Sequence, residues 1–209
     1  VIVDPRNFNP SIDMLTVRAV YSDAEIAFHL TWDDPTASKP DPKAKTFADQ
    51  VALQFPTKPG EGDERPYVLM GDGSNPVTLL RWASDGGVGE ATATGITKVT
   101  PRAAEAVKSK GKAVFADGQY RLVIKLPRLG NDPNALQFPV GRFLSAAFMA
   151  WDGGAGETGP KMSFSSWYYL RLEEPGSNKP YIIPPLVVLV TAALELLVVR
   201  RARRGTRGG

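Results

Sequence analysis

An almost wholly apolar run over residues 181–199 constrains the fold most, because five arginines follow it within residues 200–209. A helix of that length spans about 28 Å at roughly 1.5 Å per residue, close to the ~30 Å hydrocarbon core of a bilayer. Pro184 and Pro185 lie near its start, where missing N–H groups cost little. The pattern predicts a transmembrane helix over residues 181–199 and a basic cytoplasmic tail over residues 200–209. By the positive-inside rule, the preceding body then lies on the outer, periplasmic face.

Two points qualify this anchor. Glu195 is the one ionisable residue within the run, and it either snorkels toward Arg200 or contacts another membrane subunit. A buried core helix is the alternative, although the run shows no amphipathic period. An exported body needs a signal peptide, so we expect the numbering to begin after its cleavage. Residues 173–180 are the expected linker.

Charge and composition exclude several classes of function. The net charge is +3, and the five tail arginines exceed it, so the remaining 199 residues carry −2. The high isoelectric point therefore gives no support for nucleic-acid binding. The chain has no cysteine, which excludes disulfides, iron–sulfur ligation and covalent haem attachment. Its single histidine, His29, excludes histidine-rich metal sites and most catalytic triads.

The body, residues 1–172, consists of short runs that alternate between apolar and polar residues. Such alternation, with turn residues between the runs, predicts an antiparallel β-sandwich. Asp117-Gly118 predicts a hairpin turn, and only residues 101–108 look helical. The predicted strands cover residues 24–32, 50–55, 77–82, 113–115, 120–126, 142–151 and 164–172.

Two segments combine glycine-rich turns with tryptophan. The first reads Met-Gly-Asp-Gly-Ser-Asn-Pro-Val over residues 70–77 and continues to Arg81-Trp82. The second reads Trp-Asp-Gly-Gly over residues 151–154, and Lys161 precedes Ser-Ser-Trp-Tyr over residues 165–168. Together they resemble the haem-b γ subunits of the ethylbenzene dehydrogenase type. These accompany molybdenum enzymes of the type II dimethyl-sulfoxide-reductase class, and the resemblance covers most of residues 10–172.

The resemblance implies a β-sandwich that clasps one non-covalent haem b. A methionine and a lysine hold the iron from opposite sides in that family, and the matching positions are Met70 and Lys161. A thioether ligand raises the haem potential, and a lysine amine ligates only in its neutral form. The remaining candidate haem-binding residues are Trp82, Trp151 and Trp167, which would wall the pocket, and Arg81, which would pair with a haem propionate.

Family members pair with a molybdopterin catalytic subunit and an iron–sulfur subunit, and they pass electrons to an outside partner such as a cytochrome or a quinone-linked protein. Soluble members lack the apolar run, so its presence here resembles membrane-tethered nitrate reductases and nitrite oxidoreductases. We therefore expect a membrane-anchored, non-catalytic electron-transfer subunit. The sequence does not identify the substrate of the complex or the direction of electron flow.

Other readings stay open. Met70 could be a core methionine and Lys161 a solvated loop residue, and the rival ligands are Lys125, His29, Met149 and Met162. The spacing of Asp72, Asp152 and Glu157 fits no 12-residue calcium loop, and Gly71-x-Gly73 is no dinucleotide fingerprint. The alternative functions are an anchored carbohydrate-binding-like sandwich without haem, and a structural tether with an empty pocket. An independent enzyme lacks a nucleophile–base pair.

Overall fold

The computed structural model describes residues 9–57, 65–130, 135–174, 176 and 179–205. The chain divides into two compact units, residues 1–172 and 173–209. Within the described residues, the first unit is built from short strands: β1 Thr16–Tyr21, β2 Glu25–Asp33, β3 Gln50–Pro56, β4 Val77–Ala83, β5 Gly87–Ala93, β6 Val99–Pro101, β7 Lys110–Ala116, β8 Gln119–Pro127, β9 Phe143–Trp151, β10 Ser163–Phe164 and β11 Tyr168–Arg171.

The strands form two antiparallel sheets. The four-stranded sheet has the order β1-β2-β8-β7. The seven-stranded sheet has the order β10-β9-β3-β4-β5-β6, and β11 also pairs with β9. Asp117 and Gly118 join β7 to β8, and both have positive φ angles, as a two-residue hairpin turn requires. The antiparallel β-sandwich predicted from the sequence is confirmed.

The core lies between the two sheets and is supplied by alternate residues of their strands. On β2, Phe28 and Trp32 face this core, while His29 lies on the opposite side and is half-buried. Trp32 stacks on Tyr120 with 4.8 Å between ring centroids, and Trp82 meets Tyr120 edge-on at 5.3 Å. These rings fix how the two sheets face one another, because aromatic pairs prefer offset-stacked or edge-on contacts.

Two local expectations differ from the structure. Residues 101–108 contain only a 3₁₀ turn, Ala104–Ala106, because the segment before it pairs with β5 as β6. The run over residues 164–172 is interrupted, so β10 and β11 pair with different parts of β9. Strands β1 and β5 were not foreseen, and β5 reads Gly-Val-Gly-Glu-Ala-Thr-Ala, with few of the bulky residues that mark a strand.

The second unit contains one helix, α1 Lys179–Gly205, among its described residues. Its segment Tyr181–Val198 is long and apolar enough to cross a membrane, judged by length and composition. The predicted span, residues 181–199, lies inside this helix. Glu195 and Arg200 are exposed in the structure.

Candidate functional site

A second apolar cluster lies on the outer face of the seven-stranded sheet. It forms because β3, β4 and β9 each bury both of their sides. On β9, for example, Ala150 enters the sandwich core, whereas Met149 and Trp151 face outward. We call this group the outer-face cluster. Its buried members are Ala52, Leu69, Met70, Val77, Leu79, Ala91, Ala93, Met149, Trp151 and Met162.

Two loops cover the outer-face cluster. One runs over residues 65–76, between β3 and β4, and the other over residues 152–167, around β10. The indole of Trp167 donates a hydrogen bond to the Pro66 carbonyl oxygen at 2.9 Å, which joins the two loops. The guanidinium of Arg65 hydrogen-bonds the Tyr169 hydroxyl and lies over its ring. The loops are therefore tied to each other as well as to the sheet.

Met70 is buried in an unusual backbone conformation. Its φ angle is 63° and that of Gly71 is 70°, and its side chain is only 5 % exposed. A left-handed backbone costs a non-glycine residue about 1–2 kcal/mol. The turn persists because Gly71 N–H donates to the Tyr67 carbonyl and Gly95 N–H donates to the Met70 carbonyl, both at 2.8 Å.

Gln54 fixes this turn to the sheet. It is fully buried in the middle of β3. Its side-chain amide donates to the Val68 carbonyl oxygen at 2.9 Å, and its Oε1 accepts from Met70 N–H at 3.1 Å. Gln54 is not among the site residues predicted from the sequence. It stands between two core residues, Leu53 and Phe55, which is ordinary alternation in a strand and gives no sign that its side chain is buried.

The loop after β9 carries Lys161. Trp151 Nε1 donates to the Gly159 carbonyl at 2.9 Å, which folds this loop over the end of the strand. The Lys161 amine is half-buried and donates to the Ala155 carbonyl at 3.0 Å. The next residue, Met162, enters the outer-face cluster. The structure thus brings the Lys161 loop to the Met70 cluster, while the amine itself is held on its own loop.

The other predicted site residues separate into two groups. Trp167 packs against the outer-face cluster with Trp151, so both lie beside Met70. Arg81 lies on the same, outward side of β4 as Leu79 and donates to Gln50 Oε1 at 2.7 Å; burial lowers its pKa. Trp82 lies on the opposite side of β4, in the sandwich core. The structure does not bring it to Met70.

The rival ligands are also separated by the fold. Lys125 is exposed and forms an ion pair with Glu25 at 3.2 Å on the four-stranded sheet. His29 lies on the outer side of that same sheet. Met149 and Met162 are buried in the outer-face cluster, close to Met70. The geometry therefore favours the methionine-rich face of the larger sheet as the candidate site.

The family model for ethylbenzene dehydrogenase matches residues 3–97, a stretch that contains Met70 and ends before Lys161. A protein of Haloferax mediterranei, named as a respiratory nitrate reductase heme subunit, is 27 % identical over 202 residues. That match covers 96 % of this chain and 71 % of the relative. The chlorate reductase subunit gamma of Ideonella dechloratans is 28 % identical over 158 residues, covering 75 % of this chain and 64 % of that protein.

Among solved structures, a Bacteroides uniformis protein described as carbohydrate-binding superposes with a TM-score of 0.43 at 13 % identity, over 78 % of this chain and 72 % of that one. A family 9 carbohydrate-binding module of Caldicellulosiruptor kristjanssonii gives 0.43 at 8 % identity, over 78 % and 77 %. Superpositions at this level carry no argument about function. The sequence matches confirm the resemblance that the motifs indicated: this chain is similar to the haem-b γ subunits that accompany type II dimethyl-sulfoxide-reductase-class enzymes.

Proposed function

We propose that this chain binds haem b at the outer-face cluster and carries electrons as the haem subunit of a respiratory reductase complex. The observation that carries the proposal is Met70, a buried thioether held in a strained left-handed turn. Backbone strain of this kind persists where surrounding contacts over-determine a residue, and it concentrates at functional sites. The names of the two relatives, a heme subunit and a reductase gamma subunit, support the same reading.

The residues present fit a haem. Met70 offers a soft sulfur ligand, which raises the haem potential. Lys161 offers an amine on a flexible four-carbon stem, and it would have to leave the Ala155 carbonyl to hold the iron. The apolar side chains of Trp151 and Trp167 would exclude water on the same face. A bound haem would supply one-electron chemistry, and the protein would supply its ligands and apolar surroundings.

Arg81 is the proposed propionate partner. Its guanidinium already serves a neutral acceptor, Gln50, and a carboxylate would make a stronger, charge-assisted hydrogen bond. We leave Trp82 out of the proposed pocket, because its ring packs against Trp32 and Tyr120 between the sheets.

We further propose that the chain joins a molybdopterin catalytic subunit and an iron–sulfur subunit, with its body outside the cytoplasm. The relatives' names as reductase subunits support the partnership. The apolar segment Tyr181–Val198 and the arginines after it support an anchor with a cytoplasmic tail. A quinone-linked or cytochrome partner would then exchange electrons with the haem near the membrane surface.

An absorption spectrum with a pyridine haemochrome assay tests the proposal on the full chain purified in detergent. We expect a b-type spectrum in the wild type that shifts or disappears in both Met70→Ala and Lys161→Ala. The matched controls are Met14→Ala and Lys125→Ala, because both side chains are largely exposed. They should leave the spectrum unchanged.

The other outcomes are equally decisive. An unchanged spectrum in one of the two ligand variants would retain the haem function and remove that ligand. Met149 and Met162 would then be the next sulfur candidates, because they lie in the same cluster. A protein that stays colourless when haem is supplied would refute the electron-carrier function, leaving the anchored carbohydrate-binding-like module or a structural tether.

A further inference from the structure

A group of buried carboxylates includes none of the proposed haem ligands. One oxygen from each of Asp34, Asp49 and Asp152 lies within 4.8 Å of the others. The three residues are 1 %, 0 % and 2 % exposed. They come from three separate segments: Asp34 follows β2, Asp49 precedes β3 and Asp152 follows β9. No local spacing pattern in the sequence could therefore reveal them as a group.

The protein satisfies most of these oxygens, but not all. Asp49 is the best satisfied, with Oδ2 accepting from Ser38 N–H at 2.6 Å and from the Tyr120 hydroxyl at 2.8 Å, and Oδ1 accepting from Gly153 N–H at 2.9 Å. These three bonds leave about one of the four acceptor positions of its carboxylate open.

Asp34 differs from Asp49. Its Oδ1 accepts from Thr36 N–H at 3.0 Å, but its Oδ2 is buried and has no hydrogen-bond partner. Leaving a buried polar atom unsatisfied destabilises the fold, and more so when the group is charged. One residue of this group therefore carries a buried carboxylate oxygen without a partner, an atom that a bound cation would satisfy.

The electrostatics point the same way. Burial, and then the neighbouring acidic groups Asp49, Asp152 and Glu157, raise the pKa of Asp34 to about 7. Burial also raises the pKa of Asp49. The ion pairs among the described residues, Arg102–Glu90 and Lys125–Glu25, involve none of the three carboxylates. A bound cation would favour the ionised form of these carboxyls, which burial and mutual repulsion disfavour in its absence.

We propose that Asp34, Asp49 and Asp152 bind a calcium ion. If their three oxygens stood 4.8 Å apart, a point in their plane would lie about 2.8 Å from each (4.8 Å divided by √3). Ca²⁺–oxygen distances are about 2.3–2.6 Å, so an ion at that point would reach all three oxygens after at most a contraction of a few tenths of an ångström. Magnesium needs about 2.0–2.1 Å and near-octahedral geometry, which requires a larger movement.

Neutral oxygens stand close by. A Cβ atom built on Gly154 would lie 2.5 Å from Thr36 Oγ1, 2.8 Å from Ser38 Oγ and 3.1 Å from Asp152 Oδ1. Gly154 therefore lets the two hydroxyls approach the carboxylate group. Hydroxyl, carbonyl and water oxygens complete the six to eight ligands that calcium takes.

The site would join three segments that meet only in the fold. Asp152 begins the loop that carries Lys161, and Asp152 Oδ1 accepts from Ala155 N–H at 2.9 Å within that loop. A calcium ion would hold this loop against the segment after β2, at Asp34, and the segment before β3, at Asp49. The inference concerns cation binding by the protein alone and does not depend on haem.

The test uses the full chain in detergent, stripped with EGTA and then titrated with CaCl₂ in a calorimeter, with bound metal counted by mass spectrometry. We expect about one calcium per chain, a rise in the melting temperature, and at least a tenfold loss of affinity in Asp34→Asn. Asp33→Asn is the matched control, because the neighbouring Asp33 is exposed and its side chain hydrogen-bonds only to Gln119 among the described residues. It should bind calcium as the wild type does.

Wild-type protein that binds no calcium at millimolar concentration would overturn the inference, whether or not the variants fold. Equal affinity in Asp34→Asn and the wild type would overturn it as well, as would an equal loss in Asp33→Asn. Magnesium that binds as tightly as calcium would overturn the choice of ion. Asp152→Asn supplies a second variant in case Asp34→Asn does not fold.

Discussion

The side chain of Gln54 provides the sharpest test of how the sheet positions Met70. Replacing it with methionine keeps the length of the side chain but removes both hydrogen bonds, at 2.9 Å to the Val68 carbonyl and at 3.1 Å from Met70 N–H. Gln54 is fully buried, so water does not replace it without a rearrangement of the turn. Two unsatisfied backbone groups cost about 1–3 kcal/mol each.

Taking the lower part of that range, Gln54→Met should destabilise the sandwich by about 2–4 kcal/mol. In a domain of this size, 1 kcal/mol shifts the melting temperature by about 2–4 °C, so the expected drop is between about 4 and 16 °C. The same variant should weaken haem binding, because the Met70 turn loses its attachment to β3. Thermal unfolding and haem titration on one preparation measure the two effects together.

Gln119→Met is the matched control. The Gln119 amide donates to Asp33 and accepts from Arg121 at the surface, where water takes over when these two bonds are lost. We expect a change within about 0.5 kcal/mol, as for most surface substitutions. If Gln54→Met unfolded within 1 °C of the wild type, or lost stability while keeping full haem affinity, the argument that Gln54 positions Met70 would be refuted.

Three further predictions follow from the same structure. Gly71→Ala should destabilise the protein by about 2–3 kcal/mol in chemical denaturation, because an L-residue is strained at φ 70° and its Cβ would lie 2.6 Å from a backbone oxygen. The control Gly73→Ala should be nearly neutral, because a Cβ there meets open space. In calcium-free protein, the free energy of unfolding should fall as pH rises from about 4 to 7. The unfolded chain releases the Asp34 proton near pH 3.8 and the folded chain near pH 7, so the folded state binds more protons in this window. Asp34→Asn should flatten that slope in urea titrations. Trp82→Ala should lower the free energy of unfolding by about 3–5 kcal/mol, and the folded variant should keep a normal haem spectrum. Trp167→Phe loses one hydrogen bond between the loops, so it should cost about 1 kcal/mol and alter the spectrum. The reverse pattern would place the haem on the other face of the sheet.

The sequence shows which side of a strand faces the core when only one of its two sides is apolar. On β2 the apolar residues 26, 28, 30 and 32 alternate with less apolar ones, so one side must face the core. On β4 both sides are apolar, because Leu79 and Leu80 are each fully buried. The sequence therefore could not decide whether Trp82 belonged with the sandwich core or with the site, and only the sheet packing separates them.

The carboxylate group escaped the sequence analysis for a different reason. Asp34 and Asp152 are distant in sequence, and they meet because β3 lies beside β9 and the segment after β2 folds over the ends of both strands. Asp152 was considered only in a local calcium loop, which its spacing excludes. Sites assembled from separate loops depend on tertiary structure, whereas the Met70 and Lys161 segments each carry a recognisable local motif.

The two proposed haem ligands are prepared to different degrees. Met70 is already buried, and its turn is fixed by Gln54 and Gly95, so its backbone is held in place by the protein alone. The Lys161 amine is tied to the Ala155 carbonyl of its own loop and must break that hydrogen bond. Most of the ordering cost of haem binding therefore falls on the second loop. That loop begins at Asp152, one of the three carboxylates of the proposed calcium site. A bound cation would therefore hold the Lys161 loop in place from outside the haem pocket, as β3 holds the Met70 turn.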